Sequence, residues 1–526
     1  MRVGPGDVHA AAARLKPGAK LHLNSAQFHA PITVNGKRGS QNKPIVIRGP
    51  KATIGSDINF AGYRKKANEL ADAHQKAGSF PGVYFLADDA SLLLRDCQWV
   101  IIEDLLFENC WPTAIYLDNC QHIFIRRVSF RGGTFAIGAA GPYTRHLLIE
   151  DCDWVQDLDS HGAADILSIR RNGHVRADLS PGDCALWGKI PWKAVHGARK
   201  EDGPVEVETD ARAYDGDFFR AWTIAGYVII RNNIITDAFN GVHFFNQASV
   251  STKANFARNV VIEDNWFIRV RDNAVEPEDF AWNWTIRRNK FVDCYMPFSF
   301  EMQTSGHFYV YGNLGWNIHV PGPEGDTHAS GALFKLADQH QADGPHYVFN
   351  NTWLLRGPIV KKKRISGFEH RNNLLGYAES AEKFKWKSCS PLGNNWSANK
   401  QPRSDVDDRF IFERACFTRS WKSLGIVFDG DFIGHPDFPA ALQAAGYKIG
   451  PNARSGTVKF IDETPGVPRG LRISSPPTAQ PFTIELPDQT SIVFDPRDYV
   501  VGAWQAAGPV SLDDPAFVNV WPTPKG

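Results

Sequence analysis

The chain has no long apolar run, no excess of either charge and no closely spaced cysteine pair. In 526 residues no stretch of about 18 apolar residues occurs, so no membrane-spanning helix is expected. Lys and Arg total 58 against 57 Asp and Glu. That balance argues against a nucleic-acid partner, which calls for a basic face or tail. Eight cysteines are too few for a disulfide scaffold at this length, and without a CxxC pair a zinc ribbon is not expected. The N-terminus, MRVGPGDVHAAAARLKPG, lacks the apolar centre of a signal peptide. The expectation is a secreted or periplasmic protein whose signal is absent from this chain, with a cytoplasmic location left open.

What is present is a repeat. Apolar runs of one form recur from Trp99, His122, His146, Tyr227, Asn259, Asn283, His307 and His346. Their central residues are Ile102, Ile125, Ile149, Ile230, Ile262, Ile286, Val310 and Phe349, with gaps of 23, 24, 81, 32, 24, 24 and 39. A period this short cannot hold a βαβ crossover, and the runs are β-branched and punctuated by Gly and Asn. A coil of short strands fits, and such a period is read as a repeat architecture before any other fold. Three positions after the central residue come Asn233, Asn265, Asn289 and Asn313. They are expected to stack as a ladder in a turn, because Asn tolerates left-handed backbone and its amide can bond the next coil. Cys97 and Cys120 share a position in adjacent repeats and are expected to stack in the core.

The gap of 81 exceeds three ordinary coils, and 156–222 lacks clean strand patterning. Long loops are expected there, with 184–197 and 211–222 as candidates, and again at 317–331. Residues 1–379 are read as the repeat with its insertion, and 380–526 as a β-rich region continuing or packing on it.

A second strand per coil raises the functional question. The segments TAIYLD (113–118), GVHFFN (241–246), NAVEPE (273–278), PFSFEM (297–302) and GALFKL (331–336) alternate faces with period two. Alternation turns Val275 and Pro277 inward and Glu276 and Glu278 outward. Glu301 falls outward on the next coil and His243 on the coil before, while Asp237, Arg271 and Asp272 occupy the approaching turns, with Asp237, Arg271 and Lys335 expected to bind substrate. Packed carboxylates are costly unless protonated, metal-bound or facing a cation, so the cluster is a candidate site. Trp282, Trp284 and Tyr295 flank it as candidate sugar platforms, and Lys335 lies on a neighbouring coil. The runs Lys361–Arg364, Arg126–Arg127 and Arg287–Arg288 read first as a basic rim and surface charge.

The pattern resembles the right-handed parallel β-helix of pectate-lyase type over roughly residues 1–375, with DVHAAAARLKPG as a helical cap at the open end. The resemblance implies an all-β fold and a polysaccharide or oligosaccharide partner. Asn246 with Glu276-Pro277-Glu278 also resembles the Asn…Glu-x-Glu calcium site of chondroitinase B and related alginate lyases, which implies a possible Ca²⁺. The positions of that family's Lys and Arg read Asp279 to Asn283 and Gln303 to Ser305 here. Lys335, His243 and Arg271 are the basic groups left to replace them. Three readings follow. Glycoside hydrolysis by Glu276, Glu278 and Glu301, supported by Asp272 and His243, needs no cofactor and stands first. Metal-assisted lysis of a uronic-acid polymer and non-catalytic polysaccharide binding are the alternatives.

Overall fold

The computed structural model describes residues 1–55, 87–196, 211–245 and 256–377 almost throughout, with shorter segments beyond. The chain winds as a right-handed parallel β-helix with three strand-bearing faces. One coil shows the order. Residues 121–126 of the strand Gln121–Arg131 lie on a first face and 128–131 on a second, and Phe135–Ala140 forms the third. Arg145–Glu150 then returns to the first face, in parallel register with 121–126.

The winding follows from the sequence. One inward row on the first face runs Val100, Ile123, Leu147, Val228, Val260, Trp284, Phe308. All are buried, and each fully buried side chain of this kind contributes about 1.5–3 kcal/mol. Trp284 is a member of this row. It stacks on Phe308 at 5.7 Å and donates its indole N–H to the Ala257 carbonyl at 2.8 Å.

The Asn ladder forms as expected. Asn233, Asn265, Asn289 and Asn313 each receive both the backbone and the amide N–H of the previous rung, or Cys152's backbone N–H for Asn233, at 2.9–3.1 Å. It extends to Asn351 and Asn373. Cys97 and Cys120 are buried and free, on neighbouring coils.

The first face carries a second ladder outside. Arg48, Glu103, Arg126, Glu150, Arg231, Glu263 and Arg287 follow one another in register, alternating in sign. Arg126 bonds Glu103 at 2.8 Å, Arg231 bonds Glu150 at 2.7 Å and Arg287 bonds Glu263 at 2.7 Å. The paired arginines at 126–127 and 287–288 therefore cross-tie coils.

Spacing needs three corrections. Ile149 and Ile230 are direct partners on adjacent coils, so the gap of 81 is one coil with a long insertion, not three coils with loops. Val310 pairs with Val348 rather than Phe349. Residues 217–222, expected in a loop, form a strand of the third face. The insertion supplies the helix Gly162–Asn172, which covers the second face around Ile234 and Ile268.

The short helix Val8–Ala13 packs at the N-terminal end against Ile32–Asn35, where open strand edges need a cover. Beyond residue 380, Val427–Asp429 and Phe432–Ile433 pair onto the first and second faces. No helix among the described residues is long and apolar enough to cross a membrane.

Candidate active site

The third face gathers the acids. The strand Asn273–Arg287 starts on this face, shifts register between Asp279 and Phe280, and ends on the first face. Its neighbours are Asn240–Phe245 on one side and the first half of Met296–Tyr311 on the other. His243 lies opposite Glu276, and Glu278 lies opposite Glu301. The strand Phe334–Leu336 follows, with Lys335 opposite Ser299. The alignment of 331–336 with 297–302 placed Lys335 two residues away, beside Glu301. A slip of two preserves the face, whereas a slip of one would have turned Lys335 inward.

His243 is the hub. Its Nε2 lies 3.0 Å from Glu278 Oε2, and its Nδ1 lies 3.2 Å from Glu276 Oε2 and 3.4 Å from Asp217 Oδ1. Arg220, opposite His243 on the preceding strand, abuts Nδ1 and donates to Asp217 at 3.2 Å. Burial and the Arg220 charge both oppose protonation of His243. Glu276, Asp217 and Glu278 outweigh them and raise its pKa to about 10. The imidazole is therefore a buried cation at neutral pH.

The two carboxyls it touches are driven apart. Burial dominates at Glu276 and raises its pKa to about 7, against the pull of His243 and Lys335. Its Oε1 accepts from Asn273 Nδ2 at 2.9 Å and Ser299 Oγ at 3.0 Å. Glu278 is also penalised by burial, but the His243 hydrogen bond and charge bring it below the ordinary carboxylate value. Lys335 is ion-paired with Glu301, and the charges of Glu301, Glu276 and Asp272 hold it protonated despite burial.

Exposure sorts these groups. The side chains of Glu276 and His243 are 6% and 8% exposed, while those of Glu278, Glu301 and Lys335 are 29%, 26% and 31% exposed. The latter three can touch a ligand; the former two set the charge behind them.

Several expected residues play other parts. Asp272 lies at the edge of the site, its charge felt by Lys335 and His196. Arg271 is fully buried, ion-paired with Asp326 and donating to the His328 carbonyl at 3.1 Å. It therefore anchors a loop and cannot meet a substrate. Asp237 is buried too: burial favours its neutral form, but Arg269 and Thr236 hold it ionised beneath the inserted helix. Trp284 belongs to the core. Trp282 lies past the register shift on the first face, with Arg258 over its ring at 5.7 Å and His307 against it. Tyr295 is buried with Cys184, Trp187, Met296 and Ala332. None of these three aromatics is a platform beside the acids.

Two insertions meet at the rim. Trp192 stacks on His328 at 3.8 Å, and its backbone N–H donates to Asp326 at 2.9 Å. His196 faces Asp215 at 3.4 Å. Burial lowers its pKa, but Asp215, Asp272 and Glu276 together raise it to about 9. Sequence reasoning missed His196, Asp217 and Arg220 because all lie within the poorly patterned insertion. The alternation in DFFRAW (217–222) was the available signal.

Asn246 and 362–364 of the basic run lie outside the described residues, while Lys361 pairs beside Lys335. Among the described residues, no group of three or more His, Cys, Asp or Glu is arranged to hold a metal ion. Glu276 and Glu278 turn instead to one protonated imidazole.

No protein-family model and no curated protein matches the chain. Among solved structures, it is similar to a mannuronic acid-specific family 6 polysaccharide lyase from human gut microbiota, at 12% identity and TM-score 0.37, covering 87% of this chain and 86% of that one. It is similar to a hyperthermoactive exopolygalacturonase from Thermotoga maritima, at 9% identity and TM-score 0.33, covering 85% and 81%. A third is the tailspike of E. coli bacteriophage HK620 in complex with a pentasaccharide, at 11% identity and TM-score 0.41, covering 84% and 69%. These likenesses concern the fold alone.

Proposed function

We propose that the protein cleaves the glycosidic bonds of a polysaccharide at the Glu276–Glu278–Glu301 patch, by hydrolysis. The observation that carries the reading is the placing of His243 between two carboxyls, the buried Glu276 at 3.2 Å and the partly exposed Glu278 at 3.0 Å. One carboxyl holds a proton up to about pH 7, and its neighbour two residues on stays ionised. Paired carboxyls with separated pKa values supply the acid and the base that hydrolysis requires.

In this reading Glu278 is the ionised group at the substrate, and Glu276 is the proton store behind it, joined through His243. Glu301 is the second exposed carboxyl. Residues i and i+2 on one strand are about 6.6–7 Å apart, within the roughly 6.5–9.5 Å of inverting enzymes. Glu278 and Glu301 are one strand spacing apart, about 4.8 Å, close to the ~5–5.5 Å of retaining enzymes. The anomeric configuration of the first product, read by proton NMR, therefore identifies the working pair. Retention assigns the acid to Glu301; inversion makes Glu276 the source of the proton, passed through His243 and Glu278, because Glu276 itself is buried. Glu278→Gln is expected to lower kcat by roughly 10²–10⁴-fold with the fold intact. Activity within a factor of about two of the parent would remove Glu278 from the mechanism.

Lysis of a uronic-acid polymer is the second reading. It is favoured by one observation, the partly exposed ammonium of Lys335 beside the acid patch, with the buried charges of His243 and Arg220 behind it, which suits a uronate carboxylate. Unsaturated products absorbing in the ultraviolet would establish it. Either reading places the protein where polymeric sugar is found, so export belongs to the proposal.

A further inference from the structure

The outward rows of the third face continue away from the acids toward the N-terminal end. Tyr116 pairs with Gly138, Gly138 with Arg220, and Arg220 with His243. In the next outward row Trp222 pairs with Phe245, one strand before Glu278. Tyr116, Trp222 and Phe245 are each half-buried, so part of each ring meets solvent on the face that carries the carboxylates.

These rings are held in place from beneath. A Cβ at Gly138 would stand 2.7 Å from Tyr116 Cδ2 and 3.2 Å from Trp222 Cζ3. The absent side chain lets the two rings lean toward each other over that strand, with centroids 6.0 Å apart. Phe135 supports Trp222 edge-on at 5.5 Å. The Arg220 guanidinium lies 5.7 Å from the Trp222 ring and 5.5 Å from the Phe245 ring, and Asp217 pins it from behind. At the far end, Arg95 is matched by Asp88 and Asp118. The strip is therefore apolar, fixed and near electroneutral.

We propose that Tyr116, Trp222 and Phe245 form subsites on which successive sugar rings of the substrate stack through their C–H faces. This inference rests on the reading of the patch as a polysaccharide-cleaving site. Amphipathic rings fixed beside a polar centre suit the mixed surface of a sugar. Four strand spacings separate Tyr116 from Glu276, or about 19 Å. A strip of that length outruns a disaccharide, so the site selects longer chains. The balanced charge along the strip means that this selection acts on ring faces and not on carboxylates.

The test is binding of mannuronate, galacturonate and neutral cello-oligosaccharides, from disaccharide to hexasaccharide, to the Glu278→Gln protein by calorimetry. For the sugar that binds, affinity should rise by roughly tenfold or more between disaccharide and hexasaccharide. Adding Trp222→Ala or Tyr116→Ala should bring hexasaccharide affinity down to that of the disaccharide, while Trp222→Phe restores the length dependence. Affinity independent of length, or hexasaccharide binding unchanged in Trp222→Ala, overturns the subsites and leaves the cleavage reading standing. No binding of any oligomer overturns the subsites for these sugars. If the corresponding polymers are also uncleaved, the reading beneath falls as well.

Discussion

Glu276 shows how one residue can link stability to activity. Its pKa rises from 4.5 to about 7 in the folded chain because its carboxylate is out of water. A raised pKa means that the folded state binds the proton more tightly than the unfolded one. The stabilisation is complete below about 4.5 and is lost as pH climbs through about 7. It amounts to roughly 3 kcal/mol at most. Glu276→Gln should flatten the pH dependence of the urea midpoint across that window. His243 has the same sign in a higher window: its contribution is full below 6.5 and lost as pH rises through about 10. Activity should follow a bell, with an alkaline limb near pH 7 from Glu276 and an acid limb below 4.5 from Glu278, whose pKa is lowered. An alkaline limb left unmoved in Glu276→Gln would take the proton store away from Glu276. Of this cluster, His243, Glu276, Glu278 and Glu301 were legible in the sequence because alternation alone turns them outward. Alternation also turns Trp284 inward, two residues before Ile286; its aromatic character, not its register, is what suggests a platform.

At the scale of the element, the Asn ladder fixes coil to coil. Asn289 accepts from the Asn265 backbone and amide N–H groups and donates to the Ile262 carbonyl and to Asn313. Asn289→Ala strands buried polar groups, each at a cost of about 1–3 kcal/mol. A clear loss of thermal stability is expected, and a Tm within a degree or so of the parent would show that the ladder is decorative. This ladder was readable as a recurring Asn at fixed distance from an apolar run. The charge ladder through Arg126 and Arg287 was harder to read, because its meaning lies in alternation from coil to coil. The strand 217–222 was missed for a related reason: its period-two signal is short and follows a long insertion.

At the scale of the whole molecule, the helix is a ruler and the insertions shape one side of it. Trp192 meets His328 and Asp326 across the two insertions, and Arg271 ties that junction to the turn leading into the third face. Asp326→Ala leaves a fully buried guanidinium without its ion partner, at an expected cost of about 3–5 kcal/mol. Denaturant unfolding would measure it, and a loss below about 1 kcal/mol would mean that the pair does not hold the junction. The repeat was visible in the sequence because every coil must bury the same row. The insertions were visible only as breaks, since nothing in 156–222 states which strand resumes the helix. The measurement that most directly tests the account is a screen of the purified protein and its Glu278→Gln variant on a polysaccharide panel, following reducing ends and ultraviolet absorbance together, with and without EDTA. New reducing ends without absorbance, insensitive to EDTA and lost in the variant, are the predicted result. Absorbance of unsaturated products, or reducing ends produced equally by the variant, would contradict hydrolysis at this patch.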